Sequence, residues 1–191
     1  MGRSSLVEPD PGRPGPPGGC ARAAYAPGME RRTSWGSTTR ASRVRLDAEH
    51  AWALVASART GPQWYVDAAP FVFRGAVDRV ALGRGRRWPV PDRPVLRPGD
   101  TAGFWRVLEA GPADDGHHLL LEAAVHAPGT VRLSTLVTPE GPRCCRVAQT
   151  VTFTPSGLLG RAYLLTDVPA RETLMELVHR RVLRDLGRAA A

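Results

Sequence analysis

Apolar and polar residues alternate along the second half of the chain in four runs, which read TAGFWRVLEA, HHLLLEAAVHA, TVRLSTLVT and CCRVAQTVTFT. Alternation with a period of two is typical of strands that bury one face and leave the other in solvent. The runs are separated by the short segments GPADDG, PG and PEGPR, which carry residues that turns favour. Because short turns join antiparallel neighbours, the pattern predicts an antiparallel sheet with one apolar face.

The residues predicted to share this apolar face follow from the alternation within each run. They are Leu119, Leu121, Ala123 and Val125 in the second run, Val131, Leu133, Thr135 and Val137 in the third, and Cys145, Val147, Gln149, Val151 and Phe153 in the fourth. Gln149 is the polar residue on an otherwise apolar strand face. Because buried polar groups must be hydrogen-bonded, Gln149 is predicted to bond either a neighbouring protein group or a ligand.

The last stretch of the chain, ARETLMELVHRRVLRDLGR, changes the apolar period from that of a strand to that of a helix. Its apolar residues recur at helical spacing at Leu174, Leu177, Val178, Val182 and Leu186. We therefore predict a long amphipathic helix that lies on the apolar face of the sheet, giving two packed layers. The preceding SGLLGRAY lacks the spacing of a phosphate-binding loop, and Ser156 is predicted to cap a helix that starts there.

In the first half of the chain, the apolar pattern predicts one short strand in TTRASRVRLDA and a helix in AEHAWALVASAR, with Asp47 as the N-cap of the helix. A weaker helical stretch, PQWYVDAAPFVFRGAVDRV, is followed by the polar loop GRGRRWPVPDRPVLRPGD. Residues 1–38 are rich in Pro, Gly and Arg and are predicted to form a disordered leader, with the folded domain at 39–188. We also hypothesise that translation starts at Met29, where the composition changes; the intact mass of the native protein tests this.

The charge of the chain narrows the classes of partner. The formal net charge is +8, all 26 basic residues are arginine, and Lys, Asn and Ile do not occur. These three residue types use AT-rich codons, so the arginine excess partly reflects a GC-rich genome and indicates a high-GC bacterium. Residues 1–45 hold eight Arg and three acidic residues, a net +5, which leaves +3 for the remainder. We therefore do not expect nucleic acid as a partner and interpret GRGRRWP (83–89) as a solvated loop.

Several kinds of chemistry lack their sequence signature. The three cysteines form no CxxC motif, and His117 and His118 are adjacent on a strand and point to opposite faces, so neither a metal nor a cofactor is predicted. His179 stands alone on the terminal helix and is not predicted to bind a ligand. The nucleophile-elbow motif GxSxG does not occur. No run approaches the roughly 20 apolar residues that span a bilayer, so we expect no membrane insertion and a cytoplasmic location.

Three segments carry a resemblance to a known family: LRPGDTAGFWRVLEA (96–110), LLLEAAVHAPG (119–129) and VTFTPSGLLGRAY (151–163). They are similar to pieces of a bacterial domain of unknown function in the START-like superfamily of polyketide cyclases and lipid-transfer proteins. That domain is also found fused behind NAD(P)-binding, epimerase-like domains. The resemblance implies an α+β helix-grip fold, in which a curved antiparallel sheet wraps around a long C-terminal helix. It also implies a pocket between the two.

The chain departs from the family pattern at three places. Arg132 stands where relatives tend to have an aromatic residue, Tyr163 is followed by Leu instead of Trp, and Arg171 replaces the His of a Pro-x-His. Because no nucleotide-binding half is present in this sequence, no redox function is carried over from the resemblance.

The resemblance and the alternation together imply a ligand pocket lined mostly by apolar side chains. The residues expected to bind the ligand are Trp105, Leu121, Leu133, Gln149, Val151, Phe153, Tyr163 and Arg171. The favoured interpretation is non-enzymatic binding of a small hydrophobic molecule such as a lipid, polyketide or aromatic metabolite. The first alternative is a cyclase- or dehydratase-like enzyme with Asp167 as acid or base beside Tyr163 and Arg171. The second is an accessory domain for a separately encoded NAD(P)-dependent oxidoreductase.

Overall fold

The computed structural model describes residues 30–34, 36–58, 61–67, 91–124 and 129–190, and between 159 and 170 it describes only the course of a helix. Seven strands and three helices follow one another in this part of the chain. They are β1 (Glu30–Thr33), β2 (Ser37–Val44), α1 (Ala48–Val55), α2 (Trp64–Asp67), β3 (Thr101–Ala102), β4 (Trp105–Ala113), β5 (Gly116–Ala123), β6 (Gly129–Gly141), β7 (Cys144–Pro155) and α3 (Gly157–Ala189).

The strands form one antiparallel sheet in the order β1-β2-β7-β6-β5-β4-β3. The predicted hairpins are confirmed, since β4, β5, β6 and β7 pair in chain order. Strand β2 pairs with β7, so the two ends of the folded region meet inside the sheet. The predicted apolar face is also confirmed within the described residues, because alternate residues of β5, β6 and β7 are buried; Val125 lies outside the described residues.

The helix α1 begins where the sequence predicts it. The carboxylate of Asp47 accepts a hydrogen bond of 2.8 Å from the backbone N–H of His50, which satisfies one of the free donors of the first turn. The helix ends at Val55, and α2 follows as a single turn. The remainder of the weak helical stretch, from residue 68 onward, and the loop motif GRGRRWP lie outside the described residues.

Indole and phenol donors fix the short helix α2 against the sheet. The Nε1–H of Trp64 donates to the carbonyl of Val55 at 2.8 Å, and the hydroxyl of Tyr65 donates to the carbonyl of Ser57 at 2.8 Å. Trp105 of β4 then donates its Nε1–H to the carbonyl of Tyr65 at 2.9 Å. Each of these buried polar atoms therefore has a partner, as burial requires.

The terminal helix α3 is longer than the sequence predicts, because it runs from Gly157 through Pro169 to Ala189 without a break. Ser156 occupies the N-cap position, but its side chain makes no capping hydrogen bond, so the predicted cap is absent. The predicted apolar stripe is wrong at Leu177, which is 43% exposed. At about 100° per residue, Leu177 lies on the far side of the helix from Met175 and Val182, both of which are buried.

The first strand of the sheet precedes the predicted start of the domain. Order was expected from residue 39, whereas β1 begins at Glu30 and β2 at Ser37. All four residues of β1 are exposed. Because this edge strand has no apolar face, its polar sequence gives no strand pattern and falls within the predicted leader. The architecture is nonetheless the predicted α+β helix grip, a curved antiparallel sheet with a long C-terminal helix.

Candidate ligand site between the sheet and the terminal helix

Apolar residues form two adjacent rows across the inner face of the sheet. In the first row, Phe153 of β7 is opposite Val131 of β6. In the second row, Val151, Leu133, Leu121 and Val107 are opposite one another on four successive strands. All four residues of the second row are buried, as is Phe153. We call these two rows the apolar rows.

The next row toward the start of β7 is polar in its centre. Here Arg40, Gln149 and Thr135 are opposite one another on β2, β7 and β6, and all three are buried. Burial of this much polar surface is costly unless each group is bonded. The structure meets that requirement with side chains of α3.

His179 of α3 connects this polar row to the helix. Its Nδ1 lies 3.0 Å from Oε1 of Gln149, and its Nε2 lies 3.0 Å from Oγ of Ser42. The amide Nε2 of Gln149 donates to Oγ1 of Thr135 at 3.3 Å. The amide oxygen therefore accepts, so Nδ1 of His179 carries the hydrogen and Nε2 accepts from the Ser42 hydroxyl. We call these four residues the buried histidine bridge.

The burial of His179 also sets its protonation. Loss of solvation lowers its pKa to about 4; the nearby Glu176 opposes this shift and Arg40 adds to it. The ring is therefore neutral at pH 7, as the hydrogen-bond pattern requires. The sequence shows His179 on the same side of the helix as Met175 and Val182, so helical periodicity is the signal that could have placed it in the core.

Two buried arginines continue the polar region along β2. Arg171 donates from Nε to Oγ1 of Thr38 at 3.1 Å and from Nη2 to the carbonyl of Ser34 at 3.2 Å. Arg40 forms ion pairs with Glu172 and, at 3.3 Å, with Glu176. These contacts fasten the middle of α3 to β2.

The carboxylate of Glu172 is held ionised by this arrangement. Partial burial acts to raise its pKa, but hydrogen bonds from Thr33, Arg40 and Thr38 outweigh burial, and the pKa is lowered. In the polar half of the inner face, the charged and polar side chains therefore bond one another: Arg40 pairs with Glu172 and Glu176, and Gln149 bonds His179 and Thr135.

The structure separates the predicted ligand residues into three groups. Leu121, Leu133, Val151 and Phe153 lie together in the apolar rows. Trp105, Gln149 and Arg171 are buried and hydrogen-bonded to protein groups. The side chains of Tyr163 and Asp167 lie outside the described residues. Gln149 thus meets the first of its two predicted outcomes, a bond to protein neighbours.

Phe153 is held close to the backbone of β6. A Cβ atom added at Gly129 would lie 2.7 Å from the Phe153 ring and 2.4 Å from the carbonyl oxygen of Thr154. No side chain fits in that space, so glycine lets the aromatic ring cover the strand. The apolar rows therefore end on a tightly packed ring near the beginning of α3.

Among the described residues, no three His, Cys, Asp or Glu side chains are grouped so that they could hold a metal ion. No helix in the described part of the chain is both long and apolar enough to cross a membrane.

The sequence matches a known protein family over most of its length. Residues 38–177 match the family described as "Protein of unknown function (DUF2867)". No curated protein matches the sequence.

Similar solved structures come from several bacteria. A protein from Arthrobacter aurescens is 13% identical, with a TM-score of 0.48, over 83% of this chain and 91% of that one. A START superfamily protein from Mycobacterium smegmatis is 12% identical, with a TM-score of 0.44, over 81% and 97%. The di-domain ARO/CYC protein BexL from the BE-7585A biosynthetic pathway is 13% identical, with a TM-score of 0.40, over 76% of this chain and 46% of that one.

Proposed function

The chain belongs to the DUF2867 family and its fold is START-like, and from this premise we propose that it binds a small hydrophobic molecule between the apolar rows and the first half of α3. The observation that carries the proposal is the division of the inner face. In its polar half, Gln149, Thr135 and His179 bond one another, whereas its apolar half offers buried hydrocarbon surface next to the start of the helix. Ligand pockets typically have such an apolar lining.

The path of the helix supports this position. Strand β7 ends at Pro155 and α3 starts at Gly157, so the first half of α3 begins beside the apolar rows. Further along the helix, Arg171 reaches Thr38 of β2, which is opposite Val151, and His179 reaches Ser42, which lies beyond the polar row. A ligand on the apolar rows would therefore face the turns of α3 that precede Arg171.

The role proposed for Gln149 differs from ligand contact. Both ends of its amide bond protein groups, so Gln149 positions α3 and closes one end of the proposed site. Orientation of the ligand falls to polar groups on the first half of α3, for which Tyr163 and Asp167 are our candidates. The described inner-face residues add nothing in favour of the cyclase-like alternative, which also rests on those two residues.

The experiment is native mass spectrometry of the protein purified from its own host, followed by denaturing extraction and identification of small molecules. We expect an apolar molecule bound at one per chain. In Leu133→Trp the added ring fills the apolar rows, and we expect occupancy to fall at least about tenfold, which corresponds to about 1.4 kcal/mol.

A matched control separates the site from the strand that carries it. Leu136→Trp places the same ring on the outer face of β6, three residues further on, and should leave occupancy unchanged. Denaturation midpoints of both variants establish that they are folded. The proposal fails if the wild-type protein yields no small molecule, or if both variants retain it equally.

A further inference from the structure

Three side chains on the outer face of the sheet form a bonded chain that the proposed ligand site does not use. His118 of β5 lies between Glu109 of β4 and Ser134 of β6. Its Nδ1 is 3.0 Å from Oε2 of Glu109, and its Nε2 is 2.8 Å from Oγ of Ser134. The group faces away from α3, since Leu119 and Leu121 on the same strand face inward.

A β-bulge brings the carboxylate to this face. Strict alternation would place Glu109 on the inner face with Trp105 and Val107. The register of β4 against β5 shifts between Val107 and Glu109, so that Glu109 is opposite Leu120, which is an outward position. Bulges often re-aim a side chain in this way and are over-represented next to active sites.

The hydrogen-bond roles follow from the partners. An ionised carboxylate can only accept, so Nδ1 of His118 carries the hydrogen and donates it to Glu109. Nε2 then has a free electron pair and accepts the hydrogen bond from the hydroxyl of Ser134. A hydroxyl, a ring nitrogen that accepts from it, and a carboxylate that orients the ring are the arrangement that activates a serine nucleophile.

We propose that Ser134 is an activated nucleophile toward esters of carboxylic acids with good leaving groups, with His118 as its base and Glu109 as the positioning residue. The group is within reach of a substrate, because the side chain of His118 is 25% exposed and that of Glu109 is 62% exposed. This activity is separate from ligand binding on the inner face.

The reaction balances with water as the second substrate. Oγ of Ser134 attacks the acyl carbon and its proton passes to Nε2 of His118. The bond from the acyl carbon to the leaving oxygen breaks, and the leaving group takes that proton. Water then attacks the acyl-serine, again giving a proton to Nε2, and the carboxylic acid leaves as Ser134 regains its hydrogen.

The groups around Ser134 determine the expected rate of its acylation. In a sheet the strand amides bond neighbouring strands, so backbone donors of the oxyanion-hole type are not free in the interior of the ladder. Arg132, two residues before Ser134 on the same face, supplies positive charge, and Glu122 holds it through a 3.0 Å ion pair. We therefore expect slow acylation of activated esters, detected on the protein itself.

The test uses p-nitrophenyl acetate with the full-length protein at pH 8, followed by peptide mapping of the acetyl group. Ser134 should be acetylated, and His118→Gln should lower the rate of acetylation at least tenfold. Glu109→Gln should lower it less, and Glu109→Asp should restore part of the rate at an unchanged denaturation midpoint. A merely structural role of Glu109 would not give that rescue.

A threonine one strand away provides the matched control. Thr150 is opposite Ser134 on β7, and its hydroxyl bonds that of Thr39 at 2.9 Å instead of an imidazole. Thr150→Ser should gain no acetyl group at residue 150. The proposal is overturned if Ser134 stays unmodified, if Ser134 and the new serine react equally, or if His118→Gln reacts as fast as the wild type.

Discussion

His118 and His179 make the same kind of bridge on opposite faces of one sheet. Each ring bonds two side chains, one through each nitrogen, and one of the partners is a serine hydroxyl in both cases. The other partner is a carboxylate for His118 and a neutral amide for His179. A quarter of the His118 side chain is exposed, whereas His179 is fully buried.

The difference teaches that the hydrogen-bond pattern alone does not decide what a histidine does. In the buried histidine bridge, no water or substrate reaches the ring, and the amide partner favours the neutral form that burial already imposes. On the outer face, a carboxylate can stabilise a positive ring while a substrate approaches Ser134. The same geometry therefore secures a helix in one place and offers a nucleophile in the other.

The largest expected effect comes from removing the buried ring. His179→Ala leaves Oε1 of Gln149 and the hydroxyl of Ser42 without their partner and opens a cavity, so we expect a loss of about 3–5 kcal/mol in the free energy of unfolding. His118→Ala should cost less than about 1 kcal/mol, because water can replace its bonds. Urea denaturation of both variants measures the contrast. Similar losses for the two would contradict it.

The next-largest effect is the contribution of His179 to the pH dependence of the free energy of unfolding. Folding depresses the pKa of His179 from 6.5 to about 4, so between these pH values the unfolded chain binds the proton and the folded one does not. Stability should fall as the pH drops from 6.5 to 4, by about 3 kcal/mol from this group.

Denaturation midpoints at pH 7, 5 and 4 test this prediction. Protonation of Glu122 and Glu172, whose pKa values are lowered in the folded state, destabilises the fold in the same direction. A variant must therefore isolate the histidine: His179→Gln should flatten the slope, because glutamine does not titrate. An unchanged slope in His179→Gln would show that the carboxylates account for it.

The smallest contrast concerns the ion pairs of the two faces. Arg40→Met removes a buried cation from Glu172 and Glu176, which are 30% and 17% exposed, so water compensates only in part and we expect a loss of about 2 kcal/mol. Arg132→Met removes an exposed partner of Glu122 and should cost at most about 0.5 kcal/mol. Raising the salt concentration during denaturation should weaken the outer pair more.

The features that could be predicted from the sequence are those that follow the regular two-residue period of a strand or the 3.6-residue period of a helix. Alternation places Leu121, Leu133 and Val151 on one buried face, and it marks Gln149 as a polar group that needs a partner. The partner itself, His179, is 30 residues away on another element, and no local pattern specifies that pairing. Long-range contacts of this kind depend on how the helix lies across the sheet.

Irregular features are the other part that the sequence does not reveal. The bulge after Val107 breaks the alternation, so Glu109 reads as inward although it faces solvent. Strand β1 consists of polar residues with no buried face and reads as leader. Both are set by pairing with a neighbouring strand, and a single-strand pattern does not contain that information.

The bond between Ser42 and His179 joins residues 137 positions apart, and this separation has a kinetic consequence. The hairpins from β4 to β7 close short loops, whereas pairing of β2 with β7 and docking of α3 must bring both ends of the domain together, at a greater entropic cost. The meander is therefore expected to form first, with β1 and β2 added late along its β7 side. Substitutions such as Ser42→Ala should then speed unfolding while leaving the rate of folding nearly unchanged, which stopped-flow measurements can test. The polar contacts that hold α3 in place would in that case govern how long the native state lasts more than how quickly it is reached.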